Sequence, residues 1–202
     1  MPRKAREFID RPEALYHIVC RGNNKKRIFR RSEDYRRLLN IIRLSKKEFP
    51  FYFYSYNFLP NHFHLLVETR EFSLSKFMGR VNFLYATYFN HRHNRSGHVF
   101  QDRFFSNIID KEKYFWAVGC YIDLNAVRAG LVQNPKDYFW SSFSIYCQKI
   151  YGDDLIDRDK FLSYIGINDL EQARLDYIKF VEGRFCSEDT ETPVFIKSTK
   201  MI

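Results

Sequence analysis

Leu59-Pro60-Asn61-His62-Phe63-His64-Leu65-Leu66-Val67-Glu68 is an apolar run interrupted by two imidazoles one residue apart. On a strand successive side chains take opposite faces, so His62 and His64 share a face with Leu66 and Glu68, while Phe63, Leu65 and Val67 take the other. Two imidazoles then look the same way from a rigid element, and neutral imidazole is a common metal ligand. A half-buried strand whose polar face carries histidines is the plainer reading, and for His-x-His alone it comes first.

Outward from this stretch, Phe51 to Tyr56 and His62 to Thr69 are aromatic and β-branched runs separated by Asn57 to Asn61, which predicts a hairpin. Upstream, Leu15 to Arg21 alternates as a strand, and Ser32 caps an amphipathic helix to about Glu48, with Glu33 and Asp34 in its first turn and Pro50 beyond its end. Downstream, Ser73 or Ser75 caps a helix to about Asn90, Val99 to Ile109 is extended, and Lys111 to Asn125 is helical. The series β-α-β-β-α-β is an α+β fold, the ferredoxin-like split βαβ arrangement, with a central antiparallel sheet, helices on one face and the other face available.

Beyond about Lys149 the pattern weakens to an acidic stretch (Asp153, Asp154, Asp157, Asp159), a helix from Leu170 to Glu182 and a polar tail. No Gly/Ser linker precedes these extra C-terminal helices, so the expected division is a main domain of residues 1–149 and an acidic extension of residues 150–202 packed on it. Its acids could screen or gate a basic surface, though a solvated surface helix is the plainer account.

A second stretch bears chemistry. In Tyr121-Ile122-Asp123-Leu124-Asn125, residues four apart lie one above the other on a helix, so Tyr121 and Asn125 project together. Singly, Tyr121 reads as a packed aromatic, one of 14 tyrosines, and Asn125 as a helix C-cap.

Charge is uneven. The chain of 202 residues carries +9. Residues 1–50 hold 15 Lys+Arg against 6 Asp+Glu, residues 51–150 hold 11 against 7, and residues 151–202 hold 7 against 11. An N-terminal basic excess favours a polyanionic partner and salt-dependent binding, with a solvated basic face as the alternative. The densest runs are Arg3, Lys4 and Arg6, then Lys25, Lys26, Arg27, Arg30 and Arg31. Four scattered cysteines without a Cys-x-x-Cys pair predict reduced thiols. No run approaches the roughly 18 apolar residues that span a bilayer, so a soluble cytoplasmic protein without a membrane partner is expected.

Four stretches together resemble the HUH endonuclease superfamily, and within it the REP-associated tyrosine transposases, relatives of the small insertion-sequence transposases that act on single-stranded DNA hairpins. They are Tyr16 to Asn23, similar to the family's opening strand; Leu59 to Glu68, its His-hydrophobic-His stretch; Gly97 to Phe104; and Tyr121 to Val132, its tyrosine helix end. Leu59, Phe100 and Ala126 stand where the family usually has Met, Trp and Pro. The first two are apolar exchanges that cores tolerate, whereas Ala126 removes a bias against helix at Asn125 and predicts that the helix runs on.

The resemblance implies an enzyme that cleaves and rejoins single-stranded DNA beside hairpins. Tyr121 would be the nucleophile, forming a 5′-phosphotyrosine, and His62, His64 and Asn125 would hold a divalent metal, Mg²⁺ or Mn²⁺. Lys25, Lys26, Arg27, Arg30, Arg31 and the Arg3, Lys4, Arg6 arm are the candidate DNA contacts, with Arg103 nearer the site. The expected partner is hairpin-bearing DNA in the nucleoid rather than a small molecule, and the expected state is a monomer, with a dimer as the alternative. Two rivals remain: a hairpin-binding protein without cleavage, and a metal-dependent hydrolase using water. Should Tyr121 not be the nucleophile, Tyr114 and Tyr85 come next.

Overall fold

The structure, a computed structural model, describes residues 11–148, 154–164 and 166–186. Four strands form one antiparallel sheet: β1 (Leu15–Arg21), β2 (Phe51–Leu59), β3 (His62–Thr69) and β4 (Phe105–Ile109), in the order β2-β3-β1-β4. This is the split βαβ sheet that the element series predicts. Its central pair, β1 and β3, places Val19 opposite His64 and Arg21 opposite His62.

The odd-numbered face of β3 is apolar and receives α1 (Ser32–Glu48) and α2 (Leu74–Arg92). Phe63, Leu65 and Val67 are fully buried there with Tyr16 and Ile18 of β1. Phe29 stacks on Phe58 at 5.7 Å, Phe51 meets Phe77 at 4.1 Å, and Tyr85 is sealed by donating its hydroxyl to the Ile28 carbonyl. Ser73, not Ser75, caps α2, its hydroxyl accepting from the Ser75 amide. At α1 the cap falls one residue earlier than expected: Arg31 occupies it, and Asp34 reaches back to accept the Arg30 and Arg31 amides at 2.8 and 3.0 Å.

The opposite face is not left available. It is covered in part by α3 (Lys111–Asp123), followed after a break at Leu124 by the short α4 (Asn125–Arg128). This packing explains a second departure. β2 runs through Asn57 to Leu59, so only Pro60 and Asn61 make the turn. Asn57 reads as a turn residue because its amide competes for backbone partners. Here the fully buried amide donates to the Ile122 carbonyl of α3 at 2.9 Å, which a sequence window cannot show. Residues 99–104, expected as extended, carry only the single bridge of Phe100 to Gly22 before β4 begins.

Three further helices follow: α5 (Phe143–Cys147), α6 (Arg158–Ser163) and α7 (Leu170–Cys186). Phe161 and Tyr177 are fully buried, and Trp116 of α3 donates its indole N–H to the Phe161 carbonyl. Two acids of the acidic stretch act as staples. Asp154 pairs with Arg43 at 2.7 Å, while Asp157 pairs with Lys46 at 2.6 Å and accepts the Phe53 amide of β2. Among the described residues no helix is long and apolar enough to cross a membrane.

Candidate functional site

The even-numbered face of β3 carries His62, His64, Leu66 and Glu68, as the alternation predicts. Glu68 is committed elsewhere, accepting from Tyr54 at 2.6 Å and from Lys111 at 2.7 Å. The two imidazoles lie with ring centroids 5.0 Å apart. His62 is partly buried and His64 almost wholly so.

A hydrogen bond fixes which ring nitrogen of His62 can act as a ligand. Asn61 donates its amide N–H to the Lys25 carbonyl, so its amide oxygen is the atom that meets His62 Nδ1 at 2.7 Å. An amide oxygen only accepts; His62 therefore carries its proton on Nδ1 and presents a lone pair at Nε2. His64 Nδ1 lies 2.9 Å from His17 Nε2, and His64 Nε2 is buried without a hydrogen-bond partner. The tautomer with the proton on His64 Nδ1, donated to His17 Nε2, would present His64 Nε2 as a lone pair, the state a metal requires, and would leave the His17 Nδ1 proton buried without a partner.

Burial holds both groups neutral. It pulls His62 down to about 4, aided by the Arg21 charge, and drives His64 well below its ordinary value, with His17, His62, Arg21 and Arg128 adding to the effect. His17, wholly buried, is lowered to about 4 by burial alone. Among the described residues no three His, Cys, Asp or Glu side chains gather to hold a metal, so among them a further ligand beside the two imidazoles would be of another type.

Asn125 is such a group, although it is neither the last residue of α3 nor a C-cap. It opens α4, and its amide N–H₂ donates to the Tyr121 carbonyl at 2.7 Å and to that of Ile122 at 3.4 Å, which leaves the amide oxygen as its remaining ligand atom. The tyrosine helix does not run on as expected from Ala126: α3 ends at Asp123, two residues short of Asn125, and helix resumes after Leu124 only as the separate α4.

Tyr121 is brought to the histidines. Its ring lies edge-on to His17 at 5.7 Å and to His64 at 6.1 Å, with the Arg128 guanidinium 4.9 Å above its centre. Arg128 also donates to the Tyr121 carbonyl at 3.0 Å. Burial raises the phenol above its ordinary pKa, and the Arg128 charge opposes that rise. Tyr85 is excluded as an alternative, because it is buried on the far side of the sheet. Tyr114 sits on α3 two turns before Tyr121.

Two residues that the motifs do not single out belong to this site. His17 lies within the strand stretch Tyr16 to Asn23, where its apolar neighbours made it look like part of an ordinary core strand. Arg128 follows Tyr121 by seven residues, two helical turns, which is the signal that places both on one side.

The basic run is held at the same end of the sheet. Gly22 donates to the Asn61 carbonyl, while Ile28 and Phe29 donate to that of Pro60. A side chain at Gly22 would meet the Lys26 carbonyl at 2.2 Å, so only glycine allows this close approach. Lys25, Lys26, Arg27, Arg30 and Arg31 are all exposed beside the His62 turn. Arg103 is exposed too, lining a cleft of ≈ 580 Å³ with Phe83, His98 and Gln101. The Gln101 amide donates to the Arg21 carbonyl, which ties that cleft to the His62 end. Arg3, Lys4 and Arg6 lie outside the described residues.

Residues 11–125 match the family model described as "Transposase IS200 like". Among solved structures, a REP-associated tyrosine transposase bound to a REP hairpin superposes with a TM-score of 0.60, at 19% identity, over 78% of this chain and 93% of that one. No curated protein matches the chain.

Proposed function

Because the chain belongs to the IS200-like transposase family, we propose that it cleaves and rejoins single-stranded DNA beside hairpins through a covalent link to Tyr121. One observation carries the proposal: a distant helix delivers a phenol edge-on to His17 and to His64, whose outer nitrogen is buried and unpartnered. The fold neighbour holds a hairpin, and the exposed cations around the His62 turn offer this chain a comparable phosphate grip.

His62 Nε2, His64 Nε2 and the Asn125 oxygen are the groups that would hold Mg²⁺ or Mn²⁺. Such an ion supplies positive charge that neutralises phosphoryl oxygens and orients the scissile phosphate. The chain's residues do the rest. Tyr121 attacks phosphorus in line, its phenol proton passing to solvent and its oxygen bonding as the bond to the 3′-oxygen of the leaving strand breaks; that oxygen takes up a proton from solvent, giving a 5′-phosphotyrosine and a 3′-hydroxyl. The bond energy is kept for joining another end. Arg128 stabilises the phenolate by charge and holds the Tyr121 backbone. Lys25, Lys26, Arg27, Arg30, Arg31 and the Arg3, Lys4, Arg6 arm grip hairpin phosphates, and Arg103 contacts the unpaired segment. Residues 1–149 form the nuclease unit, the described helices α6 and α7 of the extension pack against α3, and the protein acts as a monomer.

Tyr121→Phe tests the reading. On a denaturing gel the native protein forms a covalent band with labelled hairpin-flanked single-stranded DNA and Mg²⁺ or Mn²⁺, and the variant forms none while still shifting the DNA on a native gel. A persisting band in the variant would move the nucleophile elsewhere. Free cleaved product without a band would favour a hydrolase, and binding alone a hairpin binder.

A further inference from the structure

We propose that Asp123 and Tyr177 are positioning residues for Tyr121, tying the end of α3 to β2 on one side and to the C-terminal helix α7 on the other. This rests on Tyr121 being the nucleophile. Asp123 is fully buried, and its carboxylate accepts from Tyr177 at 2.6 Å, from Ser55 of β2 at 3.1 Å and from Ser142 at 3.4 Å. Burying a carboxyl is costly, and an apolar residue would pack the same space more cheaply. What hydrogen bonds add is direction: they permit one placement of the helix end.

The placement needs such help because α3 breaks at Leu124, directly after Asp123. Trp116, Gly119 and Asp123 fall on one stripe of α3, nearly opposite Tyr121 around the axis. The whole stripe engages α6 and α7. Trp116 meets Tyr177 at 5.2 Å, and a Cβ on Gly119 would stand 2.8 Å from both Phe161 and the Tyr177 hydroxyl. An anchor on that side resists rotation of the helix about its axis, the motion that would sweep the phenol away from His17 and His64. A misplacement of about 1 Å at a reacting group costs ~100-fold in rate.

The test uses Tyr177→Phe, which keeps the ring and removes the hydroxyl, and Asp123→Asn, which can still accept from Tyr177, in the full chain. Three quantities are read: the single-turnover rate of covalent adduct formation, the Kd for the hairpin DNA, and hydrogen exchange over residues 119–125 without DNA. For Tyr177→Phe the adduct rate is expected to fall ~10- to 100-fold, with Kd within about twofold and faster exchange confined to residues 119–125. Asp123→Asn should retain more of the rate, and the double variant should be no slower than the slower single variant. An unchanged rate and unchanged exchange in Tyr177→Phe would overturn the proposal. So would a loss of affinity together with faster exchange across β1 and β3, which marks a merely structural role. If the native protein forms no adduct, the nucleophile reading fails, and the exchange measurement alone decides whether the anchor exists.

Discussion

At the residue scale, function turns on lone pairs. His17 Nε2 is bound to His64 Nδ1, and the direction of that bond decides which outer nitrogen of the pair, His64 Nε2 or His17 Nδ1, is bare. His17→Phe retains the aromatic volume and removes the acceptor. Mn²⁺ affinity should fall ~10- to 100-fold with the far-ultraviolet spectrum unchanged; titration calorimetry giving an unaltered Kd would deny His17 this role. The same burial sets a pH dependence. His17 and His62 sit near 4 when folded, below their ordinary 6.5, and burial lowers His64 as well, so unfolding takes up protons below pH 6.5. Their contribution is full above about pH 6.5 and is lost as pH falls through about 4. Asp123, pushed up to about 7 by burial against its hydrogen bonds, works in the other direction, losing its contribution as pH rises from about 4 through about 7. Three imidazoles oppose one carboxyl, so the melting temperature of metal-free protein should drop between pH 6.5 and 4. A flat profile over that range would show that the histidines are solvated.

At the element scale, short polar contacts decide where helices begin and strands end. Asp34 accepts two backbone amides ahead of α1, the Tyr88 hydroxyl at 3.1 Å and His93 at 3.0 Å, tying α1 to α2. Asp34→Ala should cost about 2 kcal/mol in urea unfolding, the range of a lost charged cap, and a change within error would mean that water replaces these bonds. The acid was legible as a first-turn residue of an amphipathic helix, but its reach to α2 was not. Asn57 shows the same limit. Local chemistry assigns it to a turn, and its partner 65 residues away makes it a strand residue.

At the scale of the whole molecule, charge and burial are segregated. The exposed cations of residues 25–31 cluster beside the His62 turn, while Asp154 and Asp157 are spent on Arg43 and Lys46 of α1. Changing Lys25, Lys26 and Arg27 together to Ala should flatten the dependence of log affinity on log salt by about 0.7–0.9 for each phosphate that is no longer neutralised. Filter binding of the hairpin DNA with an unaltered slope would place the DNA on another face. One chain brings the Tyr121 ring against His17 and His64, so light scattering should report 24.5 kDa rather than twice that mass.

Periodicity in the chain was enough to determine the sheet, its order of elements and the shared face of His62 and His64, because alternation and helical spacing are local properties. Helical spacing put Tyr121 and Asn125 on one side, but it was the family resemblance that singled them out. The convergence of that helix end with the histidine face was decided only in three dimensions, together with the placement of His17 and Arg128 beside Tyr121 and the partial covering of the second sheet face by α3. Asn57 with Ile122 and Asp123 with Ser55 and Tyr177 each join a buried polar group to a partner far along the chain, and the free energy of such pairing belongs to the packed interior, not to any window of sequence.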